Sequence, residues 1–130
     1  MHELAIVQKI VAAVSRAAEK NGIKSVKRIR LRLGQMAAAH PEQLSFGFKT
    51  YAKDSILDGA ELFIEEIKIE LECQKCRTLF GDKRFDDHDF AHTIAHAPLT
   101  YIPPNCPKCG SPDSTIKRGQ EMELVDIEGE

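Results

Sequence analysis

The chain contains four cysteines, and they form two pairs with the same spacing: Cys73 and Cys76, then Cys106 and Cys109. Two residues between partners allow both thiolates of a pair to face one ion, and two such pairs complete the tetrahedral Zn(Cys)4 shell of structural zinc sites. Gly110 permits a tight turn after the second pair, whereas Arg77 stands in the equivalent place after the first. Four protein ligands leave no open position for a substrate, so the pattern predicts a zinc ion that stabilises a fold and performs no reaction.

Two other uses of the cysteines remain open at this point. Two disulfides would require an oxidising compartment, and nothing in the sequence indicates export. A dithiol redox pair normally occurs once, at the start of a helix beside a βαβ unit. Structural zinc is therefore the favoured interpretation.

The overall charge argues against a nucleic-acid partner. The net charge is −2 with the cysteines neutral, and four thiolates around Zn2+ would lower it by about two units. Nucleic-acid zinc modules usually carry a clear basic surplus. No apolar run approaches the ~18 residues of a membrane span, and the N-terminus lacks a signal-peptide pattern. We therefore expect no nucleic acid, no membrane and a reducing cytoplasmic location.

Hydrophobic periodicity predicts an α+β fold. Apolar residues at helical spacing predict a helix over residues 3–21, and a second helix starts at Pro41. Strict alternation at residues 29–33 predicts a strand over residues 26–34. Residues 61–71 and 120–128 are also strand-like, with a bulge or bend expected at Glu65-Glu66, where the alternation slips. These elements assemble into a three-stranded sheet with both helices on one face. The cysteine segment is then a zinc-ribbon-like insertion between the second and third strands.

The predicted division follows from that insertion. Residues 1–71 with 119–130 form an α/β domain, and residues 72–118 form a zinc-binding domain. A basic row, Arg28, Arg30 and Arg32, lines the outer face of the first strand. Two interpretations of this row stay open: ion pairs with acidic neighbouring strands, or a docking surface for an acidic partner.

The opening tripeptide Met1-His2-Glu3 has a chemistry of its own. It is compatible with an ordinary helix start, because an acidic residue in the first turn favours the helix dipole. A free α-amine, the next amide nitrogen and the His2 imidazole can also form fused chelate rings around one metal ion. Square-planar nitrogen coordination of this kind suits Ni(II) or Cu(II).

Several motifs together resemble the HypA family (with its close relative HybF), nickel-insertion accessory proteins of NiFe hydrogenase maturation. They occur here in the family's order: Met1-His2-Glu3, Leu33-Gly34, Pro41-Glu42-x-Leu44, Gly59-Ala60 and the two cysteine pairs. The resemblance covers essentially the whole chain. It implies a nickel site at Met1, His2 and Glu3 and a zinc site at Cys73, Cys76, Cys106 and Cys109. It also implies Ni2+ delivery together with a partner GTPase, HypB, to the hydrogenase large subunit.

The segment between the cysteine pairs, residues 77–105, is longer than in many members of that family, as is familiar among archaeal members. It contains His88, His92 and His96 at successive four-residue steps, which share one face if the segment is helical. One interpretation is a solvated acidic linker. The other is that His92 or His96 folds over to complete the nickel shell.

Two classes of function follow. The leading one is a nickel metallochaperone, which is not an enzyme, acting as a monomer or weak homodimer with structural Zn2+ and transferred Ni2+. The alternative is a zinc-ribbon module that binds nucleic acid or a transcription assembly, and a thiol redox protein is a weaker third. The sequence contains no phosphate-binding loop, so energy input would come from a partner.

Overall fold

The computed structural model describes residues 3–130. Within them, the chain divides into two compact units, the first formed by residues 3–32, 39–65 and 122–130 and the second by residues 33–38 and 66–121. The main elements, in chain order, are α1 (Glu3–Lys20), β1 (Val26–Gly34), α2 (Pro41–Ala52), β2 (Glu61–Ile67), β3 (Glu70–Cys73), β4 (Leu79–Phe80), α3 (His88–His96), β5 (Ser114–Arg118) and β6 (Met122–Gly129). The predicted α+β class is confirmed: two helices accompany one three-stranded sheet, and the four-cysteine segment forms a zinc-ribbon-like part.

In the first unit, α1 forms because its apolar residues recur at helical spacing and bury one broad face. Its buried residues are Ile6, Val7, Ile10, Val14 and Ala18. Each of the larger side chains among them contributes about 1.5–3 kcal/mol when it leaves water. The helix ends before Gly22, whose φ of +68° lies in the left-handed region that glycine adopts most readily.

The sheet of the first unit has the order β2-β1-β6. In β1, Ile29 and Leu31 are buried and alternate with the exposed arginines, as predicted. α2 packs against α1 and buries Leu44, Phe48 and Ala52. Tyr51 was expected on this apolar side, but its side chain is 49% exposed, and its hydroxyl accepts a hydrogen bond from Gln8.

The strand predicted over residues 61–71 is interrupted. β2 ends at Ile67, and the chain resumes as β3 at Glu70 in a different sheet. Between them, the N–H of Ile69 donates to the side-chain oxygen of buried Gln35 at 3.1 Å. That bond gives the Ile69 N–H a partner at the point where the chain leaves one sheet for the other, while the apolar alternation continues.

The second unit is built on an antiparallel sheet of order β4-β3-β5. Leu71 in the central strand is fully buried and pairs with Phe80 on one side and Ile116 on the other. The buried residues of the core around it are Ala38, Ile69, Leu71, Phe85, Ala91 and Ile94. Half of this core comes from residues 85–94, so the segment between the cysteine pairs is folded.

α3 belongs to that core. The Asp87 side chain caps its N-terminus by accepting a hydrogen bond from the Asp89 N–H at 2.9 Å. Ala91 and Ile94 are buried, and Phe90 packs edge-on against Phe85 with ring centroids 5.2 Å apart. The interpretation of residues 86–96 as a solvated acidic linker is therefore wrong.

The buried carboxylate of Asp82 links the chain before α3 to the chain after it. The Asp82 side chain, 3% exposed, accepts hydrogen bonds from the Arg84 guanidinium at 2.8 and 3.0 Å and from the Tyr101 hydroxyl at 2.8 Å. Arg84 also donates to the Ile102 carbonyl and lies 4.8 Å from the centroid of the Phe90 ring. We refer to Asp82, Arg84 and Tyr101 as the Asp82 network.

Candidate metal centre

The first cysteine pair lies in a tight turn at the end of β3. The Cys73 N–H donates to the Thr78 carbonyl at 2.9 Å, and the Arg77 N–H donates to the Cys73 carbonyl at 2.9 Å. The Cys76 N–H points at the Cys73 sulfur at 3.5 Å. Closing this turn gives Arg77 a positive φ of 65°, which costs a residue with a side chain about 1–2 kcal/mol.

The second pair repeats the same turn. The Cys106 N–H donates to the Ser111 carbonyl at 2.9 Å, and the Gly110 N–H donates to the Cys106 carbonyl at 2.9 Å. Gly110 takes the position of Arg77, with a φ of +76° that glycine adopts without strain. The two turns therefore present their four sulfurs in equivalent ways.

The four sulfurs meet in one cluster. Cys73 and Cys109 have their Sγ atoms 3.6 Å apart, and so do Cys76 and Cys106. All four lie within 4.8 Å of one another, and all four are free thiols. A tetrahedral ion with metal–sulfur bonds of about 2.3 Å separates its sulfurs by about 3.8 Å. The cluster thus has the dimensions of a four-thiolate site with no position left open.

Neighbouring groups favour the thiolate form of the first pair. The Thr78 hydroxyl, 3.1 Å from the Cys76 sulfur, is the main cause that lowers the pKa of Cys76 to about 6. The backbone of Cys76 lowers the pKa of Cys73. For Cys109, the Ser111 backbone acts in the same direction, but burial and the adjacent thiols outweigh it and raise its pKa to about 11. Four thiolates this close repel each other, so a central cation is what allows them to ionise together.

Sequence reasoning did not identify the role of Thr78. A hydroxyl two residues after Cys76 is a weak signal, because serine and threonine are common in turns. Only the turn geometry brings this hydroxyl to the sulfur. Thr78 is a positioning residue that favours the metal-binding form of Cys76.

The residues predicted to bind nickel are covered only in part. Met1 and His2 lie outside the described residues. Glu3 is the first residue of α1. His92 and His96 both lie on the exposed side of α3, where their Nε2 atoms approach to 3.3 Å. The structure therefore brings the two linker histidines together.

The basic row of β1 is matched by carboxylates of the same sheet. Arg28 contacts Glu128 at 3.1 Å, Arg30 forms a two-pronged ion pair with Asp126, and Arg32 lies 3.4 Å from Glu65. The hydrogen bonds between Arg30 and Asp126 raise the pKa of Arg30 and lower that of Asp126. The intramolecular pairs favour the first interpretation of the row over a docking surface for nucleic acid or another acidic partner.

No helix among residues 3–130 combines the length and the apolar character that crossing a membrane requires.

The fold and the cluster define a small α+β protein with one unit shaped by a four-cysteine metal site. A family model described as "Hydrogenase/urease nickel incorporation, metallochaperone, hypA" matches residues 1–129. The chain belongs to the HypA family of nickel metallochaperones, as its motifs predicted.

Individual relatives support the same family assignment. The hydrogenase maturation factor HypA of Roseiflexus sp. (strain RS-1) is 33% identical over 130 residues, covering 100% of this chain and 93% of the relative. The factor of the same name from Methanosarcina mazei is 35% identical over 131 residues, covering 98% and 92%. The solution structure of the Ni metallochaperone HypA from Helicobacter pylori has a TM-score of 0.63 and 25% identity, covering 99% of this chain and 97% of that one.

Proposed function

We propose that this protein carries Ni2+ for the maturation of NiFe hydrogenase and binds the ion at its N-terminus. The α-amine of Met1, the backbone amide nitrogen of His2 and the His2 imidazole are its main ligands, with the Glu3 carboxylate beside them. The observation that carries the proposal is the match of a nickel-incorporation family to residues 1–129 of a chain that opens with Met-His-Glu. Nitrogen donors in fused chelate rings suit Ni(II).

A linker histidine completes the nickel shell in this proposal. His92 and His96 are the candidates because both side chains are exposed on α3, where their Nε2 atoms lie 3.3 Å apart. Three donors from Met1 and His2 leave one position of a square-planar ion open. A neutral imidazole from α3 fills that position without adding charge.

The four-cysteine cluster is proposed to hold Zn2+. Sulfur separations of 3.6 Å fit a tetrahedral ion, and Zn2+ is the common ion of closed four-cysteine sites. Its role is structural, because four protein ligands exclude a substrate from the ion. We expect it to stabilise residues 72–118 as a separate domain.

The partners follow from the family. We propose delivery together with the GTPase HypB to the hydrogenase large subunit, with the chain itself acting as a monomer or weak homodimer and catalysing no reaction. The sequence offers no phosphate-binding loop for a nucleotide of its own. Four free thiols are stable in a reducing compartment, which supports the cytoplasm.

The experiment is a Ni2+ titration of the zinc-loaded full chain in three forms: the native N-terminus, one residue added before Met1, and His2→Ala. Mass spectrometry first establishes that the α-amine of Met1 is free in the native form. The added residue turns that amine into an amide, and His2→Ala removes the imidazole, so both should abolish high-affinity nickel binding without changing zinc content. Equal binding by all three forms would refute the N-terminal site.

Acidity provides a second readout. Nickel must displace protons from the His2 imidazole and the Met1 amine, whose ordinary pKa values are about 6.5 and 7.7–8.0. Affinity at this site should therefore fall steeply below neutral pH. A flat affinity from mildly acidic to mildly alkaline pH would indicate carboxylate or thiolate ligands instead.

A further inference from the structure

A buried hydroxyl of β5 lies beside the cysteine cluster. Ser114 is the first residue of β5, and its Oγ atom is enclosed by protein. Within residues 3–130, this oxygen has no hydrogen-bond partner. A hydroxyl that leaves water loses the hydrogen bonds that it made there, and most buried hydroxyls regain them from the protein. The position of Ser114 therefore calls for an acceptor.

The strand register places this hydroxyl opposite Cys73. β3 and β5 are antiparallel, and Cys73 is the direct partner of Ser114. The hydrogen bond from the Gln74 N–H to the Asp113 carbonyl belongs to the next pair along, and the Cys73 N–H donates to Thr78 on the other side of β3. Cys73 and Ser114 thus form a non-hydrogen-bonded pair, the kind whose Cα atoms approach to about 4.5 Å and whose side chains lie closest.

Both side chains lie on the buried face of this sheet. Leu71 shares the face of Cys73 two positions along β3, and both are fully buried. Thr115, the next residue of β5, faces the other way, and its hydroxyl accepts a hydrogen bond from the Gln74 side chain at 2.9 Å. Of these two adjacent hydroxyls, the one on the side of the sulfurs is the one without a partner in the described part of the chain.

A metal-bound sulfur is the acceptor that this position offers. Groups that hydrogen-bond to metal ligands orient them and tune their affinity for the ion. In the first cysteine pair, the Thr78 hydroxyl approaches the Cys76 sulfur at 3.1 Å. The contact from the Cys76 N–H to the Cys73 sulfur is longer, at 3.5 Å. A hydroxyl from Ser114 would give Cys73 the kind of donor that Cys76 has in Thr78.

We propose that Ser114 is a positioning residue of the metal site and that its hydroxyl donates to the Cys73 sulfur when the four cysteines hold their ion. A sulfur that binds the ion carries negative charge, and this charge makes it a stronger acceptor. Rotation about one side-chain bond directs the serine hydroxyl, so the ladder between β3 and β5 stays as it is. The inference rests on the proposed role of the cluster as a Zn2+ site.

The experiment measures zinc affinity by competition with a chelator in reducing buffer, using the full-length protein. Ser114→Ala should weaken binding by about 10-fold, the lower end of the effect of removing a group that hydrogen-bonds to a metal ligand. Ser114→Thr keeps the hydroxyl, whereas Ser114→Val has the shape of threonine without it. The threonine variant should bind zinc about 10-fold more tightly than the valine variant, whatever the added methyl group costs.

Thr115→Val is the matched control. It removes a hydroxyl from the next residue of the same strand while it keeps the shape of the side chain. Because the Thr115 hydroxyl bonds on the opposite face of the sheet, zinc affinity should equal that of the native protein.

Co2+ in place of Zn2+ provides a readout that a packing role would not change. The thiolate-to-cobalt charge-transfer bands report the electron density on the sulfurs, and a hydrogen bond to a thiolate withdraws some of it. Ser114→Ala should therefore shift these bands to lower energy. Ser114→Thr and Thr115→Val should leave them in place.

The outcomes separate this inference from the proposed zinc site. Native protein that takes up neither ion at its cysteines would refute the zinc site and the role of Ser114 with it. Tight native binding with unchanged affinity in Ser114→Ala would refute the role of Ser114 alone and indicate that its hydroxyl bonds to water. Weaker binding without a shift of the cobalt bands, or equal affinities of Ser114→Thr and Ser114→Val, would also overturn the inference.

Discussion

Replacing Asp82 by asparagine tests whether the segment between the cysteine pairs is held by its buried carboxylate. The Asp82 side chain accepts hydrogen bonds from the backbone N–H and guanidinium of Arg84 and from the Tyr101 hydroxyl. Asparagine has nearly the same shape, but it offers one acceptor oxygen and a donor NH2 in place of the second. About half of the acceptor capacity is therefore lost, and the NH2 group faces other donors.

The magnitude follows from those bonds. A hydrogen bond to a charged group contributes about 1.5–3 kcal/mol. Arg84 is 46% exposed, so water replaces part of what its guanidinium loses, whereas the Asp82 side chain is 3% exposed. We expect Asp82→Asn to lower the free energy of unfolding of the second unit by about 2–3 kcal/mol.

Asp87→Asn is the matched control. It removes the same charge five residues away, but Asp87 is exposed at the N-cap of α3, where asparagine is as good a cap as aspartate. Its expected effect is below about 0.5 kcal/mol. Denaturant unfolding of both zinc-loaded variants gives the free energies, and amide hydrogen exchange at Leu71 and Ile116 locates the loss in the second unit.

The pH dependence of stability tests whether the charge of Asp82 is the cause of the effect. Burial acts to raise the pKa of Asp82, but its bonds to Arg84 and Tyr101 outweigh this effect and hold the pKa below its ordinary value. A depressed pKa in the folded state stabilises the protein above the unfolded value of about 3.9, and this contribution is lost as pH falls through the folded pKa. The difference between Asp82→Asn and Asp87→Asn should thus stay constant from about pH 8 down to pH 5. Equal stability of the two variants would refute the role of the Asp82 network.

Two further predictions concern the cysteine turns. Gly110→Ala should destabilise the second turn by about 1 kcal/mol, because its Cβ meets open space and only the positive φ costs energy. Arg77→Gly should have the opposite sign and stabilise the first turn by up to about 1 kcal/mol, because relief of the positive φ exceeds the entropy gained by the unfolded chain. Thermal unfolding of zinc-loaded protein measures both changes, and destabilisation by Arg77→Gly would contradict the equivalence of the turns. Cys109→Ala, or metal chelation in reducing buffer, should abolish amide protection in β3 and β5 while α1 keeps its protection. The reason is that structural zinc contributes about 10–16 kcal/mol in small modules. Intact protection in β3 after chelation would refute the structural role of the ion.

Elements with a simple period could be predicted closely. α1 and β1 lie where the pattern places them, although Leu4, an apolar residue of the helical pattern, is 58% exposed. The interruption after Ile67 could not be predicted, since Ile67, Ile69 and Leu71 keep one alternation across it. Between the two strands, the Ile69 N–H donates to the side chain of Gln35, 34 positions away, and a sequence pattern carries no information on such a pairing.

The candidate metal site, too, could be predicted from the sequence only in part. The spacing of the cysteines was sufficient to predict one cluster, because the geometry of each pair is local. α3 was not predicted as an element, although Asp87 as a cap with Phe90 and Ile94 at helical spacing would have indicated it. The histidines and aspartates that dominate this stretch suggested solvent exposure. The Asp82 network has no local signal, because Tyr101 is 19 positions away from Asp82.

The cysteine cluster also joins distant parts of the chain. Cys73 and Cys109 are 36 positions apart, so an ion bound by both pairs closes a covalent loop as a disulfide would. Restricting the unfolded chain by a loop of this length is worth about 4 kcal/mol. α3, with His92 and His96, lies inside the loop. Loss of the ion from reduced thiols would open the loop and loosen the helix, so metal occupancy at the cysteines affects the histidines through the connectivity of the chain.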